Sequence, residues 1–126
     1  MEKVQIFTPD APTPIGPYSQ AVKVGGTLYL SGQLGIDMST GSLAPLIEEQ
    51  TEFALRHLGA ILSSEGLSYD NVVKTTVFLN SFGDFAAMNE VYQSFFKDGI
   101  PPARSCVEVE DLPKSALVEI EAVAVY

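Results

Sequence analysis

The chain has 126 residues with one cysteine and one histidine, and its 7 basic and 16 acidic side chains give a net charge of −9. That length fits one domain, 1–126. The lone cysteine and histidine exclude an internal disulfide and a Cys/His zinc pattern, and the negative field disfavours a nucleic-acid partner. No apolar run is long enough to span a membrane, and the N-terminal MEKVQIFTPD lacks a signal-peptide core, so the expected location is cytoplasmic with no membrane partner.

In chain order, VQIF reads as a short strand, ended by the proline-rich TPDAPTPIGP, which suits neither a helix nor a central strand. QAVKV-GG-TLYLSGQ is a hairpin pattern around Gly25-Gly26, with Val24 opposite Thr27 and Gln20 opposite Ser31. That register places Tyr18, Ser31 and Gln33 on one face. The turn-rich IDMSTGSLAP precedes a helix from about Leu46 to Ser64, with Leu55, Leu58, Ile61 and Leu62 as its apolar stripe and Gly66 as its C-terminal cap. NVVKTTVFLN is a strand pattern. A second helix is predicted from about Asp84 to Phe96, with Phe85, Met88, Tyr92 and Phe95 inward. Strands over ARSCVEV and ALVEIEAVAV complete the chain. The order implies an α+β fold, a single sheet with both helices packed on one face. The other face is too apolar to be left wholly wet, which points to oligomerisation.

Side-chain parity then assigns faces. On the final strand Ala116, Val118, Ile120, Ala122 and Ala124 form a small apolar face that suits the helices, leaving Glu119 and Glu121 on the opposite one. By the same logic Val107 and Val109 turn toward the helices, and Arg104 and Cys106 share the far face with Glu119. Parity leaves open whether these groups meet within one chain or between copies.

Arg104 carries the most chemical information. A guanidinium fork matches a carboxylate through two parallel hydrogen bonds, although a structural ion pair to Glu119 or Glu121 accounts for the same residue. Glu119 can hold and activate water if partly buried, and is otherwise an ordinary surface or paired carboxylate. Cys106 has no histidine to activate it and suits a pocket wall better than a nucleophile. The Tyr18 hydroxyl is placed either to reach a ligand or simply to face water. His57 reads as structural or exposed, and SGQLG is too short for a phosphate loop.

Taken together, GPYSQA (Gly16–Ala21), LSGQ (Leu30–Gln33), VVKTTVFL, NEVYQSFF, PPARSCVEV and LPK-ALVEIEAVA resemble the RidA (YjgF) family, in family order and over nearly the whole chain. Ser115 departs from the pattern, since glycine is frequent there. The resemblance implies a chorismate-mutase-like fold with a mixed sheet, assembled as a homotrimer with a central barrel and with ligand clefts at the subunit interfaces. It implies Tyr18, Ser31, Gly32, Arg104 and Cys106 as substrate-binding residues, with Arg104 and Glu119 catalytic. The implied activity is enamine/imine deamination, the hydrolysis of 2-iminopropanoate or 2-iminobutanoate to a 2-oxo acid and ammonia. Arg104 would clamp the carboxylate and Glu119 position water, with no metal or cofactor required. A non-catalytic small-carboxylate binding or regulatory protein is the alternative. An endoribonuclease or translation inhibitor fits poorly with the net charge of −9.

Overall fold

The computed structural model describes residues 1–126. Strands β1 (Lys3–Ile6), β2 (Ala21–Val24), β3 (Thr27–Leu34), β6 (Val72–Leu79), β7 (Ala103–Glu108) and β8 (Val118–Val125) form one mixed sheet in the order β1-β2-β3-β8-β6-β7. Only the β6–β7 pairing is parallel. A parallel pair needs a crossover, and α2 (Phe85–Phe95) supplies it. The segment Ile36–Leu43, which reads as turns, instead contains a two-stranded ribbon, β4 (Ile36–Asp37) with β5 (Ser42–Leu43).

Helix α1 (Ile47–Ser64) buries Leu55, Leu58, Ile61 and Leu62 as its periodicity predicts. Gly66, at φ +72°, ends it: the Gly66 amide donates to the Ser63 carbonyl and the Leu67 amide to that of Leu62. From α2, Met88 and Tyr92 enter the core. Both helices cover the sheet face that carries Leu28, Leu30, Val77, Val118 and Ile120, all of them buried. No helix is long and apolar enough to cross a membrane.

The close approach of α1 to the sheet depends on Gly35. A Cβ there would lie 2.2 Å from the Gln50 Cα, and Gln50 is itself fixed, its amide donating to the Ala44 carbonyl and its Oε1 accepting from the Leu117 amide. Gly35→Ala is therefore expected to cost about 3 kcal/mol or more and to lower Tm by roughly 10 °C, measured by thermal melting.

His57 is buried, with its Nε2–H donating to the Ile36 carbonyl at 2.7 Å. Burial pushes its pKa below the usual imidazole range, with the Ile36 bond pulling the other way. The unfolded chain therefore takes up a proton at a higher pH than the folded one, and stability falls as pH drops below the ordinary value of about 6.5 toward the depressed one. His57→Gln is expected to flatten that dependence in denaturant titrations across the window.

Two face assignments change. The sheet register pairs Arg104 with Thr75 and Cys106 with Val77. Thr75 is fully buried and bonded to the Tyr92 hydroxyl of α2. Arg104 and Cys106 therefore lie on the helix side, opposite to the parity reading, whereas Glu119 lies on the far face as read. The strand is an edge strand beside α2, and its helix-side positions hold the arginine stem and the thiol. The valine that looked core-facing, Val107, is 41% exposed.

Gln33 is the second correction. On β3, Leu30 pairs with Ala122 and Gln33 with Ile120, so Ser31 and Gly32 together face the single residue Glu121. This β-bulge shifts the alternation by one. Gln33 turns to the helix side and is buried, and Leu34 becomes the direct neighbour of Glu119.

Candidate active site

Glu119 is the second residue of β8 and lies beside the end of β3 that follows the bulge. Its carboxylate lies over Gly32, where an added Cβ would sit 2.7 Å from Oε2, so a side chain at position 32 would displace the carboxylate. Glu119 is half-buried. Burial pushes its pKa above the ordinary carboxylate range, and the nearby charge of Glu121 adds to the rise. A carboxylate held in this way, exposed on one side to a cleft, is suited to accepting a proton from water.

The cleft holds about 510 Å³. Its walls include Glu119, Gly32, Leu34 and Tyr18, the apolar side chains of Ile15, Ile36 and Met38, and Lys114. Tyr18 is 52% exposed and its hydroxyl bonds to nothing in the chain. Ser31 does not line the cleft; its hydroxyl donates to the Ser19 carbonyl at 2.6 Å and its amide to the Gln20 carbonyl, tying the Tyr18 loop to β3. Gln20 holds the preceding loop: its side chain accepts from the Thr8 amide and donates to the Thr8 and Pro12 carbonyls.

Arg104 and Cys106 stand elsewhere. On β6 the partners of Arg104 and Glu119 are Thr75 and Phe78, three residues apart. Sheet geometry puts the two residues about 10 Å apart across the strands and about 10 Å along them, on opposite faces. The Arg104 guanidinium donates to Asn89 Oδ1 at 2.7 Å and lies 4.8 Å from the Tyr92 ring centre and 5.7 Å from that of Phe85. This cradle pins one nitrogen and the guanidinium plane. Cys106 packs against the core, and burial pushes its thiol pKa up, with Arg104 opposing. A protonated thiol with no base beside it is a poor nucleophile.

The structure thus brings Tyr18, Gly32 and Glu119 to one cleft and keeps Arg104 and Cys106 apart from it. Asn89 and Lys114 are not singled out by the sequence, and Tyr92 reads there only as a core residue of the second helix. Asn89 and Tyr92 sit three residues apart on one face of the second helix, a spacing that marks neighbours, but nothing in the sequence pairs them with Arg104.

A family model described as Endoribonuclease L-PSP matches residues 8–126, and the chain belongs to that family, the one its motifs resemble. A mouse relative named 2-iminobutanoate/2-iminopropanoate deaminase is 49% identical over 121 residues, covering 95% of this chain and 89% of the mouse protein. A crystal structure of a Rid-family protein of unknown function from Yersinia pestis superposes with a TM-score of 0.96 at 46% identity, covering 99% of this chain and 100% of the other. The crystal structure of Escherichia coli TdcF with bound serine gives a TM-score of 0.94 at 41% identity, with 98% of each chain covered.

Proposed function

We propose that this protein hydrolyses small 2-imino acids, such as 2-iminopropanoate and 2-iminobutanoate, to 2-oxo acids and ammonia, in clefts completed between copies of the chain in a cytoplasmic homotrimer. The observation that carries the reading is the half-buried Glu119 carboxylate over Gly32 at the floor of a cleft, joined to the name of the mouse relative. Water held by Glu119 attacks the imine carbon as the carboxylate takes one of its protons and the C=N π pair moves to nitrogen. Glu119 returns that proton to the nitrogen, and the carbinolamine loses ammonia as its hydroxyl proton passes to the departing nitrogen and the carbonyl forms. Arg104 of a second copy supplies the fork for the substrate carboxylate, and its cradle leaves one edge of the guanidinium free for two parallel bonds. Cys106 and Tyr18 line the substrate, and Ser31 holds the Tyr18 loop in place.

The separation of Arg104 and Glu119 on opposite faces supports a site completed by a second copy. Exposed apolar side chains on the sheet face away from the helices support the same assembly: Tyr29, Val107 and Val125 are between 39% and 53% exposed there. The reaction needs no covalent intermediate. Free imines hydrolyse unaided in water, so positioning of water and carboxylate supplies the acceleration.

A second reading, a small-carboxylate binding protein, is favoured by the serine bound to the Escherichia coli relative. Turnover separates the two. An amino-acid oxidase or dehydratase generates the imine in situ, and its decay is followed with and without the protein. Faster decay supports the enzyme; unchanged decay with retained binding of a 2-oxo acid supports the binding protein. The endoribonuclease reading suggested by the family description is disfavoured by the net charge of −9.

A further inference from the structure

One element of the cleft wall has no role in the chemistry above. The turn before β8 holds two consecutive non-glycine residues in the left-handed region, Lys114 at φ 59° and Ser115 at φ 58°. L side chains rarely adopt that backbone, and where they do, the surroundings impose it. Here the Ser115 amide bonds the Leu112 carbonyl and the Ala116 amide bonds that of Pro113, closing the turn. The result is that Lys114 lines the cleft that contains Glu119.

Lys114 is also chemically unspent. Lys74 donates to the Ser105 hydroxyl, Lys23 lies over the Tyr126 ring, Arg56 pairs with Glu52 and Arg104 bonds Asn89. Lys3, Lys97 and Lys114 have no such partner, and of these three only Lys114 lines the cleft, where it forms no ion pair with Glu119. Among the residues lining the cleft, Glu119 is the only acidic side chain and Lys114 the only basic one. An anionic substrate entering this cleft meets a net charge of −9 and a carboxylate that must remain ionised to work. One free cation on the wall offsets both.

We propose that Lys114 is the charge-selecting residue of the cleft, its ammonium drawing in the carboxylate of a 2-imino or 2-oxo acid on its way to the Arg104 fork and favouring anionic ligands over neutral ones of the same shape. This rests on the reading of the cleft as a carboxylate site, and it deepens that reading. Lys114 acts on ligand capture rather than on the reacting atoms, so its loss raises KM and leaves kcat near the wild-type value. The interaction is exposed and therefore modest and salt-sensitive.

The test is calorimetric binding of 2-oxobutanoate and of its neutral amide to the wild type, Lys114→Asn and Lys114→Arg. Asparagine tolerates the left-handed backbone and removes the charge, and arginine restores the charge. At low ionic strength Lys114→Asn is expected to weaken 2-oxobutanoate binding about fivefold, with the difference nearly lost at about 0.5 M salt. Lys114→Arg should bind like the wild type, and the amide should bind all three proteins alike. Equal affinity of wild type and Lys114→Asn for 2-oxobutanoate would overturn the role of Lys114 while leaving the carboxylate site standing. An equal loss for the amide would overturn it too, by showing a merely structural effect. Failure of the wild type to bind 2-oxobutanoate at all would remove both readings together.

Discussion

Arg104→Ala is expected to lower kcat/KM for 2-iminobutanoate hydrolysis by at least a hundredfold. Two parallel hydrogen bonds between charged groups are worth about 3 kcal/mol or more when both are lost, and each 1.4 kcal/mol is tenfold. A fork acting as proposed also fixes the plane of the substrate, so the loss is expected in kcat as well as in KM. Arg104→Lys keeps the charge and loses the fork, and should fall between the two. The fold should survive both changes. The chain's own contacts to the guanidinium are the bond to Asn89 and the rings of Tyr92 and Phe85, of which the stacking contributes on the order of 1 kcal/mol at a partly exposed site. Steady-state kinetics with imine generated in situ, paired with a thermal melt, separates activity from stability. Retention of wild-type kcat/KM in Arg104→Ala would discredit the clamp.

Glu119→Gln should reduce kcat by a hundredfold or more, the usual range for a removed general base being roughly 10² to 10⁴. The substitution preserves shape over Gly32, and its effect on stability should run the other way. Burial and Glu121 raise the Glu119 pKa, so the folded chain holds this proton to a higher pH than the unfolded chain. The carboxylate therefore costs stability as pH rises from the ordinary glutamate value through the raised one, and above that window the cost is complete. Removing the charge should leave Tm at neutral pH unchanged or higher while activity collapses. A parallel fall in both would mean that Glu119 is structural.

The helices were legible because their apolar positions recur at the helical period and their ends carry recognisable chemistry, as at Gly66. The β2–β3 hairpin was legible because Gly25-Gly26 fixes its register, and Val24 does face Thr27. Alternation failed where something outside the strand decides the faces. The bulge at Ser31-Gly32 moves Gln33 to the helix side, and its only sequence signal is a glycine inside a strand pattern. On β7 the apolar residues mark a face that one chain leaves open, while the polar Arg104 sits beside the aromatic rings of α2, so hydrophobicity points to the wrong side. The residues Tyr18, Gly32, Arg104, Cys106 and Glu119 were nameable from motifs. That they fall into two separate groups was not, because it depends on strand order, and β8 and β7 are separated by β6.

That separation makes the joint site between copies the central claim, and subunit mixing tests it most directly. Arg104→Ala and Glu119→Gln assemblies, each inactive alone, are dissociated, mixed in equal amounts and reassembled. If the two residues act across an interface, every mixed trimer regains one intact cleft of three, and random mixing restores about a quarter of the wild-type imine hydrolysis. If both residues must come from one chain, no cleft is ever repaired; activity that stays at the level of the separate variants would contradict the shared site.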